Sequence, residues 1–109
     1  IIAYAPCINH GIKGGMTKAQ DEEKLAVQSG YWNIFRFNPA AAAEGKDAFT
    51  LDSKEPTGDY KEFLDGEVRY NALKRANPER AEMLFDKAAA TAKARYEYLK
   101  KLGDLYKAE

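Results

Sequence analysis

The sequence has 109 residues, 17 of them basic and 17 acidic, for a formal net charge of zero and a pI near 6.8. That balance leaves no electrostatic footprint for nucleic acid or an anionic membrane, and the length suits one small domain with a modest core. A single cysteine excludes an internal disulfide framework and suits a reducing compartment. The sequence has no apolar run near ~18 residues and no basic-then-apolar leader, so a cytoplasmic segment without membrane contact is expected.

Residues 1–5, Ile-Ile-Ala-Tyr-Ala, read as a short buried strand that stops at Pro6. Proline cannot donate to a ladder and biases Ala5 toward an extended conformation, so Cys7 is expected to leave a sheet at its carboxyl edge. The strand has no obvious hairpin partner nearby, and the chain therefore reads as a piece of something longer. The loop that follows carries the only cysteine, Cys7, the only histidine, His10, and Gly11, Gly14 and Gly15. Such glycines permit positive φ and close approach of the backbone to a bulky group.

Thr17 with Gln20 three positions on has the form of a capping box, and Asp21, Glu22 and Glu23 suit the first turn of a helix. A helix over residues 18–29 ending at Gly30 is predicted, with a thin apolar face of Ala19, Leu25, Ala26 and Val27. Residues 31–37, Tyr-Trp-Asn-Ile-Phe-Arg-Phe, read as an edge or half-buried strand ended by Asn38-Pro39. Residues 40–59 give mixed signals and read as an ordered loop, with a short extended piece over 48–52 and a turn over 54–59. A short helical start over 60–64 and a helix over 67–75 come next, with Val68, Tyr70 and Leu73 as contacts. Asn77-Pro78 then opens a helix predicted to reach residue 106. Its stripe is Ala81, Phe85, Ala88, Ala92, Tyr96, Leu99, Leu102 and Tyr106, and Gly103 marks a place where it could fray.

Chemistry concentrates at Cys7, which has three readings from the residues alone: a small buried hydrophobe, a nucleophile assisted by His10, or one corner of a metal or cluster site whose other ligands lie elsewhere. For His10 the plain reading is a ring bonded to a backbone carbonyl. The Cys-x-x-His spacing lacks the second cysteine of a haem attachment and the paired spacing of a zinc site. The glycines match neither the dinucleotide fingerprint nor the Walker pattern.

In order along the chain, Ile2-Ala3-Tyr4-Ala5-Pro6-Cys7-Ile8-Asn9-His10-Gly11-Ile12, Gly15-Met16, Tyr31-Trp32 through Arg36, Asn38-Pro39, Leu51-Asp52-Ser53-Lys54-Glu55-Pro56 and Glu67-Val68-Arg69-Tyr70 closely resemble the carboxyl-terminal part of the pyruvate:ferredoxin (or flavodoxin) oxidoreductases. The resemblance implies an α/β, helix-rich fragment: terminal strands and covering helices of a thiamine-diphosphate-binding domain, with a long C-terminal helix. Residues 1–109 would divide into a strand and cluster-ligand loop (1–15), a helix and edge strand (16–39), a loop (40–59) and a helical tail (60–109).

It also implies oxidative decarboxylation of pyruvate to acetyl-CoA and CO2 on thiamine diphosphate. Electrons would pass through 4Fe-4S clusters to ferredoxin or flavodoxin, in an enzyme expected to be a homodimer. In the family, the cysteine of the Ala-Pro-Cys-Ile-Asn-His-Gly loop is a ligand of the cluster nearest the thiamine. By position that residue is Cys7, the single metal ligand expected here. No catalytic residue is expected in this segment, and the thiamine and Mg2+ ligands are expected in the remainder of the parent polypeptide. The segment alone is not expected to be active. The rival reading is a free-standing helical interaction module in which Cys7 is a structural core residue.

Overall fold

The computed structural model describes residues 1–109. Its longest element, α4 (Pro78–Leu105), starts where the sequence says it should. The Asn77 side chain accepts the Arg80 N–H at 3.1 Å, and Pro78 occupies a first-turn position where a missing donor costs nothing. Ala81, Phe85, Ala92, Tyr96 and Leu99 form its buried stripe. The helix runs on past Gly103 because a strand packs beside it. The Phe49 ring lies 3.8 Å from where a Cβ at Gly103 would sit, and the Ala48 N–H donates to the Tyr106 carbonyl at 3.3 Å.

Helix α1 (Ala19–Gln28) follows a single 3-10 turn, Met16–Lys18. Thr17 is absorbed into that turn, so the capping box does not form and the helix starts from Lys18 without a side-chain cap. Ser29 and Gly30 end it, Gly30 at φ 79°. The predicted strand over 31–37 is shorter in fact: β1 (Phe35–Phe37) pairs antiparallel with β2 (Phe49–Leu51) in the register Phe35 with Leu51 and Phe37 with Phe49. Tyr31 and Trp32 turn into the core instead, the Trp32 N–H donating to the Ala26 carbonyl at 3.0 Å. The expected loop over 40–59 is corrected in its first part, where a 3-10 stretch, Pro39–Glu44, is capped by the Asn38 side chain and closed by left-handed Gly45, while the short extended piece expected over 48–52 is β2.

Helices α2 (Tyr60–Gly66) and α3 (Val68–Ala76) are separated by one extended residue, Glu67, at φ −87° and ψ 119°. Asp59 caps α2 by accepting the N–H groups of Lys61 and Glu62. The core gathers where α1, α2 and α4 meet, at Ala26, Phe63, Leu64, Ala81 and Phe85, ringed by Tyr4, Tyr31, Trp32 and Tyr70 among others.

The strand expected over residues 1–5 does not form. A strand needs a neighbour for its N–H and C=O groups, and no segment of the chain lies alongside, so Ile1 and Ile2 stand exposed. The fold is thus helix-rich with a small two-stranded antiparallel sheet. It is elongated, 52 × 29 × 20 Å, with a radius of gyration of 16.5 Å; a compact domain of this length would measure about 13 Å. Only 15 of 109 residues are buried. No helix is long and apolar enough to cross a membrane.

Candidate functional site

The Cys7 loop is a tight turn held at both ends. The Gly11 N–H donates to the Cys7 carbonyl at 2.6 Å and closes it. Gly11 has φ 74° with open space where a Cβ would be, so glycine is demanded there by the backbone conformation rather than by close approach of a neighbour. On the carboxyl side, Ile12 forms an antiparallel bridge with Glu67 and is buried. The flanking bonds run from the Lys13 N–H to the Gly66 carbonyl at 2.7 Å and from the Val68 N–H to the Gly11 carbonyl at 3.4 Å. On the amino side, Pro6 is buried and the Tyr4 ring packs against Tyr31, Trp32 and Phe63, with centroids 5.6, 6.1 and 6.1 Å away. The Tyr4 hydroxyl donates to the Glu67 carboxylate.

Between these anchors Cys7, Ile8, Asn9 and His10 face outward. Cys7 is a free, exposed thiol, so the reading of it as a structural core residue is corrected. Pro6 takes the buried position, and the turn swings the next side chain out. Nor does the His10 ring bond a backbone carbonyl: its Nδ1 lies 3.2 Å from the Cys7 sulfur. The His10 N–H also points at that sulfur, 3.5 Å away. The His10 N–H, then the His10 ring, then the Asn9 N–H favour the ionised form and hold the thiol down at about 7.

A half-ionised, accessible sulfur is a nucleophile or a soft metal ligand. The nucleophilic reading lacks its third member, since Cys7 is the only side chain hydrogen-bonded to the His10 ring. As a ligand, Cys7 fits one corner: it is ionisable, outward-facing and surrounded by N–H donors. No group of three or more His, Cys, Asp or Glu side chains is close enough to hold a metal ion.

Three further features were not read as part of a site from the sequence. Glu22 of α1 lies behind the loop against Gly66, with its Oε1 buried and without a hydrogen-bond partner. Burial, then the charges of Glu67 and Glu62, hold its carboxyl above the usual range. Tyr4 and Glu67 are joined across 63 positions, a separation no local spacing rule reports. A broad apolar groove of about 930 Å³ also opens between the amino terminus, β1 and α4, lined by Ile1, Ile2, Trp32, Ile34, Phe35 and Tyr98 among others. The run of aromatic and aliphatic residues over 31–37 was its available signal.

No family model matches the chain. Over 104 residues, 95% of its length, it is 58% identical to a pyruvate:ferredoxin oxidoreductase of Moorella thermoacetica. It is 47% identical over 102 residues, 94% of its length, to a pyruvate-flavodoxin oxidoreductase of Klebsiella pneumoniae. Over 96 residues, 88% of its length, it is 44% identical to the mitochondrial pyruvate dehydrogenase (NADP+) of Euglena gracilis. The chain spans only 9%, 9% and 5% of those relatives. Matched along nearly its whole length at up to 58% identity, the chain is homologous to a segment of the pyruvate:ferredoxin and pyruvate-flavodoxin oxidoreductases.

Proposed function

We propose that the chain is one part of an oxidoreductase that converts pyruvate and coenzyme A to acetyl-CoA, CO2 and a proton, with two electrons passing through 4Fe-4S clusters to ferredoxin or flavodoxin. Within it, Cys7 supplies one thiolate to a cluster. The observation that carries this is the outward-facing, low-pKa sulfur of Cys7, in a chain whose long relatives are pyruvate oxidoreductases by name.

A cluster bound there would supply one-electron transfer. The chain's own share is to present a deprotonated sulfur, fix its direction through the anchored turn, and aim the His10 and Asn9 N–H groups at it, an arrangement of the kind that tunes cluster potentials. Thiamine diphosphate and Mg2+ take their ligands from the rest of the parent polypeptide, of which residues 1–109 form part of the thiamine-binding domain in a cytoplasmic homodimer. The groove beside Ile1 and Ile2 is then an internal face, covered by that polypeptide, which also explains so small a core.

The test is Cys7→Ala in the full-length enzyme. One cluster's share of iron and its paramagnetic resonance signal should be lost, and electron delivery to the acceptor should fall further than release of CO2 from pyruvate. Full iron content with unchanged spectra would overturn the assignment.

A further inference from the structure

We propose that Glu67 is the positioning residue of the Cys7 loop, acting through Tyr4; the proposal rests on the reading of Cys7 as a cluster ligand. Both ends of the loop meet this one residue. Its carboxylate accepts the Tyr4 hydroxyl three positions before Cys7, and its backbone bridges Ile12 five positions after. The carboxyl-side anchor is made of main-chain bonds, from the Lys13 N–H to the Gly66 carbonyl and from the Val68 N–H to the Gly11 carbonyl, which survive a change of side chain. The amino-side anchor is different. Residues 1–5 pair with no strand, so the arm is tied to the body by buried Pro6 and by the Tyr4 ring and hydroxyl, and the Tyr4–Glu67 bond is the side-chain hydrogen bond among these ties.

Glu67 can reach both ends because it is extended. It breaks the helix between α2 and α3, and the break turns its backbone toward Ile12 and its side chain toward Tyr4. The internal geometry of the turn is set by separate contacts, Gly11 to Cys7 and His10 to Cys7. Glu67 therefore governs where the turn sits on the molecule, not how the sulfur is ionised.

The test uses the full-length polypeptide in its iron-free and cluster-loaded forms, with the variants Glu67→Ala, Glu67→Gln and Tyr4→Phe. In the iron-free form, amide hydrogen exchange at Gly11, whose N–H closes the turn onto the Cys7 carbonyl, should rise about fivefold or more in Glu67→Ala, the size expected for losing one hydrogen bond that holds the arm carrying Cys7. Tyr4→Phe, which keeps the ring packing, should do the same. Glu67→Gln keeps an acceptor oxygen, though a weaker one, and should fall between the parent and Glu67→Ala. In the loaded form the first two variants should broaden or shift the cluster's paramagnetic resonance signal. Unchanged exchange in both Glu67→Ala and Tyr4→Phe, or Glu67→Gln as disruptive as Glu67→Ala, would overturn the proposal. Cys7→Ala separates the two ideas: an intact signal in that variant defeats the ligand reading alone, while the iron-free exchange data still judge Glu67.

Discussion

Alkylation of Cys7 across neutral pH reads the loop directly. An ordinary thiol ionises near about 8.5 and at pH 7 is only about 3% thiolate. At about 7, Cys7 is close to half ionised, a gain of roughly fifteenfold in reactive species at equal intrinsic nucleophilicity. The sign follows from the donors: N–H groups directed at sulfur favour the charged form, so the midpoint moves down. The largest contribution is the His10 backbone N–H, which any residue at position 10 supplies, and the imidazole ranks second. His10→Ala should therefore raise the midpoint part of the way toward the ordinary value and stop short of it. The assay is the rate of iodoacetamide labelling of iron-free protein from pH 5.5 to 9.5, followed by mass spectrometry. A parent midpoint near 8.5, or full reversion in His10→Ala, would refute the claim that the turn's N–H groups hold the thiolate.

Two stability predictions rest on other contacts. Gly30 has φ 79°, and a Cβ there would lie 2.9 Å from Pro56 Cγ, whereas Gly45 at φ 72° has nothing within 4 Å. Gly45→Ala should cost about 1–2 kcal/mol of left-handed strain, and Gly30→Ala clearly more, measured by urea denaturation; equal losses would show that Pro56 yields freely. Glu22, held above the usual carboxylate range first by burial, keeps its proton in the folded state to higher pH than in the unfolded one. Stability should therefore fall as pH rises from the ordinary glutamate value of about 4.3 through the raised one. Glu22→Gln should flatten that slope and match or exceed the parent at pH 7, and a parent curve no steeper than the variant's would remove the argument.

Local signals carried well. Asn77-Pro78 and the stripe from Ala81 to Leu99 are written within a few residues, and α4 begins and buries as they dictate. Gly30 ends α1 for the same reason, and the extended piece read over 48–52 is β2. Where an element needed a distant partner, the reading failed. The strand over 1–5 was inferred from apolar content, but pairing is a property of two segments, and the second is missing alongside. Thr17 had the right neighbour at Gln20, yet a 3-10 turn took it before the helix began. Phe63 and Leu64, the two most completely buried large side chains, sit in a seven-residue helix too short to show a period.

By itself, then, the sequence determined the long helix with its Asn77 cap, the position of the lone cysteine and the kinship with pyruvate oxidoreductases, because each is encoded in neighbouring residues or in ordered identity along the chain. Only the tertiary structure decided that Cys7 faces outward, that His10 turns to it, and that the Tyr4 hydroxyl meets the Glu67 carboxylate. The Tyr4–Glu67 meeting depends on packing residue 4 against residues 31, 32 and 63 and on one extended residue between two helices, and the His10 contact on the turn that Gly11 closes. Contacts so far apart in the chain leave no periodic trace, since each residue type involved is equally at home without its partner.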